Sequence, residues 1–147
     1  MKKKLKALKK PVRAVTKPTS LRAPTKITRD TGDAQRMALA AAAAALDKKA
    51  MGVEIIDVAG KVDYADYLVL MTGHADRHVA AIADAVDEAL SKQGYHAISI
   101  EGLPRGQWVL IDFVDIVVHV FLAEARALYD IDGLWMDAKR VRVPGQV

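Results

Sequence analysis

Two carboxylates, an indole and an imidazole fall within one apolar run, QWVLIDFVDIVVHVF, from Gln107 to Phe121. Trp108, Asp112, Asp115 and His119 include the side chains that acid–base or metal chemistry uses, so their geometry decides what chemistry is on offer. The run is too apolar for a loop and too short to cross a membrane, and it reads as a β-hairpin. β-Branched Ile116, Val117, Val118 and Val120 mark one strand as buried on both faces. A two-residue turn at Phe113 and Val114 would set Asp112 opposite Asp115, Leu110 opposite Val117 and Trp108 opposite His119. All of these would share one face. Facing like charges repel, so such a site would be stabilised by an external cation. A catalytic dyad of Asp115 and His119 does not follow, because four residues of strand hold their Cα atoms roughly 13 Å apart. His119 stacks more readily on Trp108.

The remaining candidates each have a plainer reading. His74 and His78 are spaced i, i+4 near a helix start and could share a metal, but no third ligand is apparent. Hydrogen bonding at the helix end is the simpler role. Asp130-Ile131-Asp132 is the only Asp-x-Asp of the chain, a pattern that holds magnesium in nucleotide-transferring enzymes. It sits beside Gly133, outside the apolar strands, without the rigid base such a pair needs. No Gly-rich phosphate loop, Walker-type lysine or Gly-x-Ser-x-Gly elbow occurs. Ser20, Ser91 and Ser99 are the only serines, and none has a nucleophile's context. The absence of cysteine removes thiolate zinc sites, disulfides and cysteine nucleophiles. The expectation is a protein without catalytic residues, metal or cofactor.

The elements that must position these residues alternate between helix and strand. Asp33 is a plausible N-cap for an Ala-rich helix over Ala34–Ala50, with Gly52 as its stop. Val53–Val58 reads as a strand, Ala59-Gly60-Lys61 as a turn, and Tyr67–Met71 as a second strand closed by Thr72-Gly73. Val79, Ile82, Val86 and Leu90 recur at helical spacing, giving a helix from about Ala75 to Gln93 that Gly94 ends. His96–Ile100 is a third strand, and EGLPRGQ is a loop punctuated by Gly102, Pro104 and Gly106. After the hairpin comes a short helix from about Glu124 to Tyr129, with Leu134-Trp135 in coil or turn. The architecture expected is α/β, a mixed β-sheet flanked by helices.

At 147 residues with 52% hydrophobic and 5% aromatic content, the chain suits one small α/β domain. The net charge of +4 hides an asymmetry. Residues 1–33 carry 11 Lys and Arg against Asp30 and Asp33, which leaves 11 basic and 16 acidic groups, a balance of −5, in the rest. The tail also holds Pro11, Pro18 and Pro24 with almost no apolar periodicity, so it reads as disordered. Three roles stand open for it: a solubilising extension, a non-specific RNA contact through phosphate neutralisation, or an organellar transit segment. The expected division is a basic tail over residues 1–33 and a folded domain over residues 34–143. No apolar run reaches the length of a membrane helix, and a soluble, cytoplasmic protein is expected.

The blocks LDKKAMGVEIIDV, DYLVLMTG, RHVAAIADAV, EGLPRGQWVLIDFVDIVVHVF and LYDIDGLW follow one another between about Leu46 and Ala138. In content and order they resemble the ribosomal silencing factor family, also called the Iojap-related family. That resemblance implies a nucleotidyltransferase-like topology without the catalytic residues of those enzymes, and a homodimer in some members. It implies a translational repressor that binds the large ribosomal subunit through ribosomal protein L-fourteen and blocks joining of the small subunit when nutrients fail. The marked positions carried over are Asp66, Tyr67, Arg77, His78, Trp108, Asp112, Phe113, Asp115, His119, Tyr129, Leu134 and Trp135. Tyr67 and His119 are expected to pack, as is Phe121. Asp66, Arg77, His78, Trp108, Asp112, Phe113, Asp115, Tyr129, Leu134 and Trp135 are the expected partner-binding residues. Carboxylates at the rim would steer toward a basic ribosomal-protein surface, and aromatic anchors would supply affinity.

Two departures from the family pattern stand out. Ala75 occupies a position where the family usually has Ser, so capping of the long helix falls to Thr72, His74 or Asp76. Val114 stands where a Gly is usual at the hairpin turn, and Val resists positive φ. The competing functions are a divergent nucleotidyltransferase holding a metal on Asp130 and Asp132 or on Asp112 and Asp115, and a general RNA-binding module acting through the tail.

Overall fold

The computed structural model describes residues 31–102 and 107–146. The expected disorder of the tail, and most of the loop expected around Pro104, lie outside the described residues.

Helix α1 spans Thr31–Asp47 and presents Ala34, Met37, Ala38, Ala41, Ala42 and Ala45 to the core at helical spacing. Asp33 is therefore not the N-cap but a first-turn residue, where its carboxylate accepts from the Tyr95 hydroxyl at 2.6 Å and from Arg36 at 3.1 Å. Nor is Gly52 the stop. The helix ends with Lys49 at φ 65, while Ala50 N–H donates to Ala45 and Lys49 N–H to Leu46. This pair of bonds is a Schellman closure built on a lysine in the left-handed region. Gly52, at φ 53, instead lies in strand β1 (Met51–Asp57), where the pairing slips between Met51 and Glu54. A bulge at that point needs the positive φ that glycine supplies.

Strands β2 (Tyr67–Gly73), β3 (Ser99–Gly102), β4 (Trp108–Asp112), β5 (Ile116–Leu122) and β6 (Lys139–Val141) complete a six-stranded sheet of order β3-β4-β5-β2-β1-β6. Only β2 and β5 pair in parallel; every other neighbour is antiparallel. The central pair is buried on both faces along its length, which explains its continuous apolar run. The mixed α/β fold expected from the sequence is present. Strand β3 begins three residues later than expected, and β6 carries a single apolar residue, Val141, in its KRV sequence.

Helix α2 (Asp76–Lys92) buries Val79, Ile82, Ala83, Val86 and Leu90, the stripe that its periodicity predicts. It packs with α1 over one face of the sheet, against Ile55, Val69, Met71, Ile111 and Val118. The other face carries Leu68, Leu70, Trp108, Leu110, Val117 and Phe121. Two short helices cover it, α3 (Ala123–Tyr129) and α4 (Ile131–Leu134). The Leu134 end of that segment is thus helical rather than coil. The chain leaves β2 toward one face and β5 toward the other, although the two strands run side by side. That divergence fixes where the candidate residues end up.

Candidate functional site

The β4–β5 hairpin pairs Trp108 with Phe121, Leu110 with His119 and Asp112 with Val117. This register is two residues away from the expected one. A slip of two keeps every side chain on its face, because strand side chains alternate with period two. Trp108, Leu110, Asp112, Val117 and His119 therefore share a face as expected, but Asp112 and Asp115 do not oppose each other, and no facing carboxylate pair calls for a cation. The cause lies in the turn. Phe113 pairs with Ile116, its N–H donating to the Ile116 carbonyl, and Asp115 N–H closes onto Phe113 at 3.0 Å. Val114, at φ 80, is the centre of that three-residue closure, a γ-turn of the strained, positive-φ kind. The Asp112 carboxylate accepts the Val114 N–H at 2.8 Å and braces it.

Within the hairpin, Trp108 Nε1 donates to His119 Nδ1 at 3.2 Å. That bond requires Nδ1 to be the unprotonated nitrogen, which fixes the tautomer of the neutral ring. The indole also lies 4.3 Å from the Tyr129 ring and 5.2 Å from Phe121, centre to centre. Trp108 and His119, 2% and 3% exposed, are the middle of a buried aromatic cluster. The expected Trp108–His119 contact is present, as packing plus one hydrogen bond. Tyr129 is buried against it, and that burial pushes its hydroxyl pKa up. Phe113 is buried in the core under α1 and α2, and Asp112 is buried as well.

The parallel β2–β5 register collects the other marked residues at two ends of the sheet. Asp66 precedes β2 and Asp115 precedes β5, and the Asp115 carbonyl accepts the Asp66 N–H at 2.8 Å. Asp66, Asp112, Phe113 and Asp115 thus lie together. Arg77 and His78 follow β2 at the opposite end, about 20 Å away for a strand of this length. Arg77 is exposed. His78 Nδ1 accepts the His74 N–H at 2.8 Å, so its Nε2 carries the proton and donates to the Lys48 carbonyl at 2.7 Å. Both ring nitrogens of His78 are committed: Nδ1 closes the start of α2 onto His74, and Nε2 ties α2 to the end of α1. The His74 ring stacks on it at 4.9 Å. Among the described residues no group of three His, Cys, Asp or Glu could hold a metal. Ala75 is the N-cap of α2 and receives no side-chain cap, so Thr72, His74 and Asp76 do not fill that role.

Asp130 and Asp132 do not converge on a shared ligand. Asp130, at φ 49, caps α4, its carboxylate accepting the Gly133 N–H at 3.0 Å. A Cβ at residue 133 would collide with that carboxylate, which accounts for the glycine. Asp132 accepts two bonds from Arg126, from Nε and from Nη2, both at 2.9 Å. These bonds hold its carboxyl below the usual aspartate range. Arg126 also donates from Nη1 to the Gly52 carbonyl at 2.7 Å and to Thr72 Oγ1 at 2.9 Å. No motif in the sequence singles out Arg126; its spacing of six from Asp132 spans two helices and matches no single-helix pairing rule. Along the same α3–α4 segment Leu128 is 65% exposed, Leu134 44% and Met136 75%, and Trp135 is half-buried. A cavity of about 370 Å³ opens next to Leu128, lined by Gln107, Leu122, Glu124, Ala125 and Tyr129.

This architecture and sequence have known counterparts. The family described as "Ribosomal silencing factor during starvation" matches residues 31–147. A ribosomal silencing factor of Bacillus subtilis is 38% identical over 98 residues, 67% of this chain and 83% of that protein. One from Halalkalibacterium halodurans is 37% identical over 101 residues, covering 69% and 86%. The chloroplastic protein Iojap of Zea mays is 27% identical over 115 residues, 78% of this chain and half of that one. Among solved structures, a Chromobacterium violaceum protein superposes with a TM-score of 0.68 at 31% identity, covering 75% of this chain and 91% of that one. A Bacillus halodurans protein superposes at 0.65 and 33% identity, covering 74% and 99%.

Proposed function

Since the chain belongs to the ribosomal silencing factor family, we propose that it represses translation by binding the large ribosomal subunit. Its contact there is ribosomal protein L-fourteen, and its bulk keeps the small subunit from joining when nutrients are limiting. Membership of this family makes the protein a ribosome-associated regulatory factor and not an enzyme. Silencing of this kind requires occupation of a surface, not turnover.

The observation that carries the reading is the exposure of Leu128, Leu134 and Met136 along the α3–α4 segment, which also bears half-buried Trp135, on a domain with a balance of −5. Exposed large apolar side chains and a tryptophan are the residue types that anchor partner surfaces. The surplus of carboxylates favours a basic partner. Leu134 and Trp135 are the anchors in this reading. Asp115 at one end of the sheet and exposed Arg77 at the other supply charge at its margins, with His78 holding the start of α2 beside Arg77. Buried Asp66, Trp108, Asp112, Phe113 and Tyr129 serve from beneath, holding the hairpin and α3 in place.

The basic tail of residues 1–33 adds an rRNA contact, the protein acts in the cytoplasm, and it pairs as a homodimer. The topology is akin to that of nucleotidyltransferases. The test is a pull-down of ribosomal particles from lysate, with subunit profiles on a sucrose gradient. Excess protein is expected to raise free large subunits, and a Trp135→Ala, Leu134→Ala variant to leave the profile normal. Normal subunit coupling in the presence of excess parent protein would end the reading. Deleting residues 1–33 is expected to keep association while flattening its salt dependence.

A further inference from the structure

Helix α4 has four residues, far fewer than a helix needs to hold itself together in water. Something else must fix it, and with it the side chains of Leu134 and Trp135 that follow. Asp130 caps its start, and buried Ile131 plugs it into the aromatic cluster. Its middle is gripped by Arg126 through the two bonds to Asp132. A guanidinium–carboxylate fork fixes angle as well as distance, which a single contact cannot do. Arg126 is anchored in turn on the framework, at the Gly52 carbonyl in the β1 bulge and at Thr72 Oγ1 near the end of β2. Its side chain is 14% exposed and that of Asp132 is 32% exposed. The far side of the turn is tied separately, by Arg140 Nη1 donating to the Trp135 carbonyl at 2.7 Å.

We propose that Arg126 and Asp132 are positioning residues for docking: their fork transmits the placement of the β1–β2 pair, at the start of β1 and the end of β2, to α4 and so aims Leu134 and Trp135 at the basic partner. The proposal rests on the reading that this turn touches the ribosome. Arg126 itself need not touch the partner. Because Asp130, Ile131 and Arg140 remain in place without the fork, its loss frees the orientation of the turn before it unfolds the domain.

The test uses the full chain labelled with 5-fluorotryptophan. The protein has two tryptophans, so two fluorine resonances report separately on Trp108 in the core and Trp135 on the turn. In Asp132→Asn the Trp135 resonance is expected to move or broaden while that of Trp108 stays put. Affinity for isolated large subunits is expected to fall about tenfold, with the unfolding midpoint within about 3 °C of the parent. Arg126→Lys, which keeps the charge and loses the fork, is expected to behave in the same way and serves if Asp132→Asn does not fold. A folded variant with unchanged Trp135 resonance and unchanged affinity overturns the proposal. Trp135→Ala separates the two readings. If it weakens binding and the fork variants do not, only the positioning role falls; if it too binds normally, the docking face falls with it.

Discussion

Replacing Val114 by glycine should stabilise this protein, although it deletes a partly buried side chain. Val114 sits at φ 80 in the turn between β4 and β5, held there by its own N–H on Asp112 and by the Phe113–Asp115 closure. A β-branched residue at such an angle carries strain near the upper end of the range, about 3 kcal/mol. Glycine relieves that strain and gives back about 1 kcal/mol in unfolded-chain entropy. Losing the half-buried isopropyl group costs about 1 kcal/mol more. The difference is a gain of about 1 kcal/mol, or roughly 4 °C in midpoint for a domain of this size. Urea and thermal unfolding followed by circular dichroism would measure it, with the m-value unchanged. Val114→Ala is the control, since it loses the methyls yet keeps a Cβ at the same φ. It is expected to be the least stable of the three. Should the glycine variant prove no more stable than the alanine variant, the turn holds no such strain and the reasoning fails.

Four further outcomes follow from the site. His119→Ala leaves the Trp108 indole N–H without its acceptor and opens a cavity in the aromatic cluster, for a loss of about 3 kcal/mol by denaturant unfolding. Asp115→Lys, at a half-exposed position, should keep the fold and weaken binding to isolated L-fourteen; unchanged affinity in the folded variant would remove that end of the sheet from the interface. Asp112→Lys, by contrast, buries a cation and strips the turn of its brace, so it should be destabilised by about 3 kcal/mol or more. With the Asp132 carboxyl held below its ordinary value of 3.8 by Arg126, its contribution is fully present above that pH and is lost as pH falls through the lowered value. Asp132→Asn, which has no proton to take up, should lose less stability than the parent on acidification below 3.8, and equal losses in acid titrations would argue against the fork.

The parts of this fold legible in the sequence are those governed by periodicity. The stripe from Val79 to Leu90 is buried as its spacing predicts, and the β-branched run from Ile116 is buried on both faces. The hairpin face was legible too, because alternation fixes which side chains share it. The register was not. A two-residue slip preserves the face, and the turn that sets it relies on a valine at an angle valine disfavours. The end of α1 differs from expectation for a related reason, since Lys49 takes the left-handed conformation expected of a glycine. Strand β6 is short and charged, and its place follows only from pairing with β1. Arg126 was invisible because its partners Gly52, Thr72 and Asp132 come from separate stretches of chain. Family blocks marked Asp66, Trp108, Asp112, Phe113 and Tyr129 alongside exposed Arg77 and Leu134, and the structure places the first five in the interior.

The single parallel seam has a consequence for how the molecule assembles. On one side of it lies the β3-β4-β5 meander, on the other the β1–β2 pair, and each can zip locally from its own connection. Joining Tyr67 to Ile116 requires closing a loop of about fifty residues, with α2 and the meander inside it. Until that closure, two long apolar strands stand with an open flank, and a nascent chain is most exposed to mispairing there. Substitutions at Val69 or Val118 should therefore show their effects in the refolding rate, where changes at the outer strands would register mainly in unfolding.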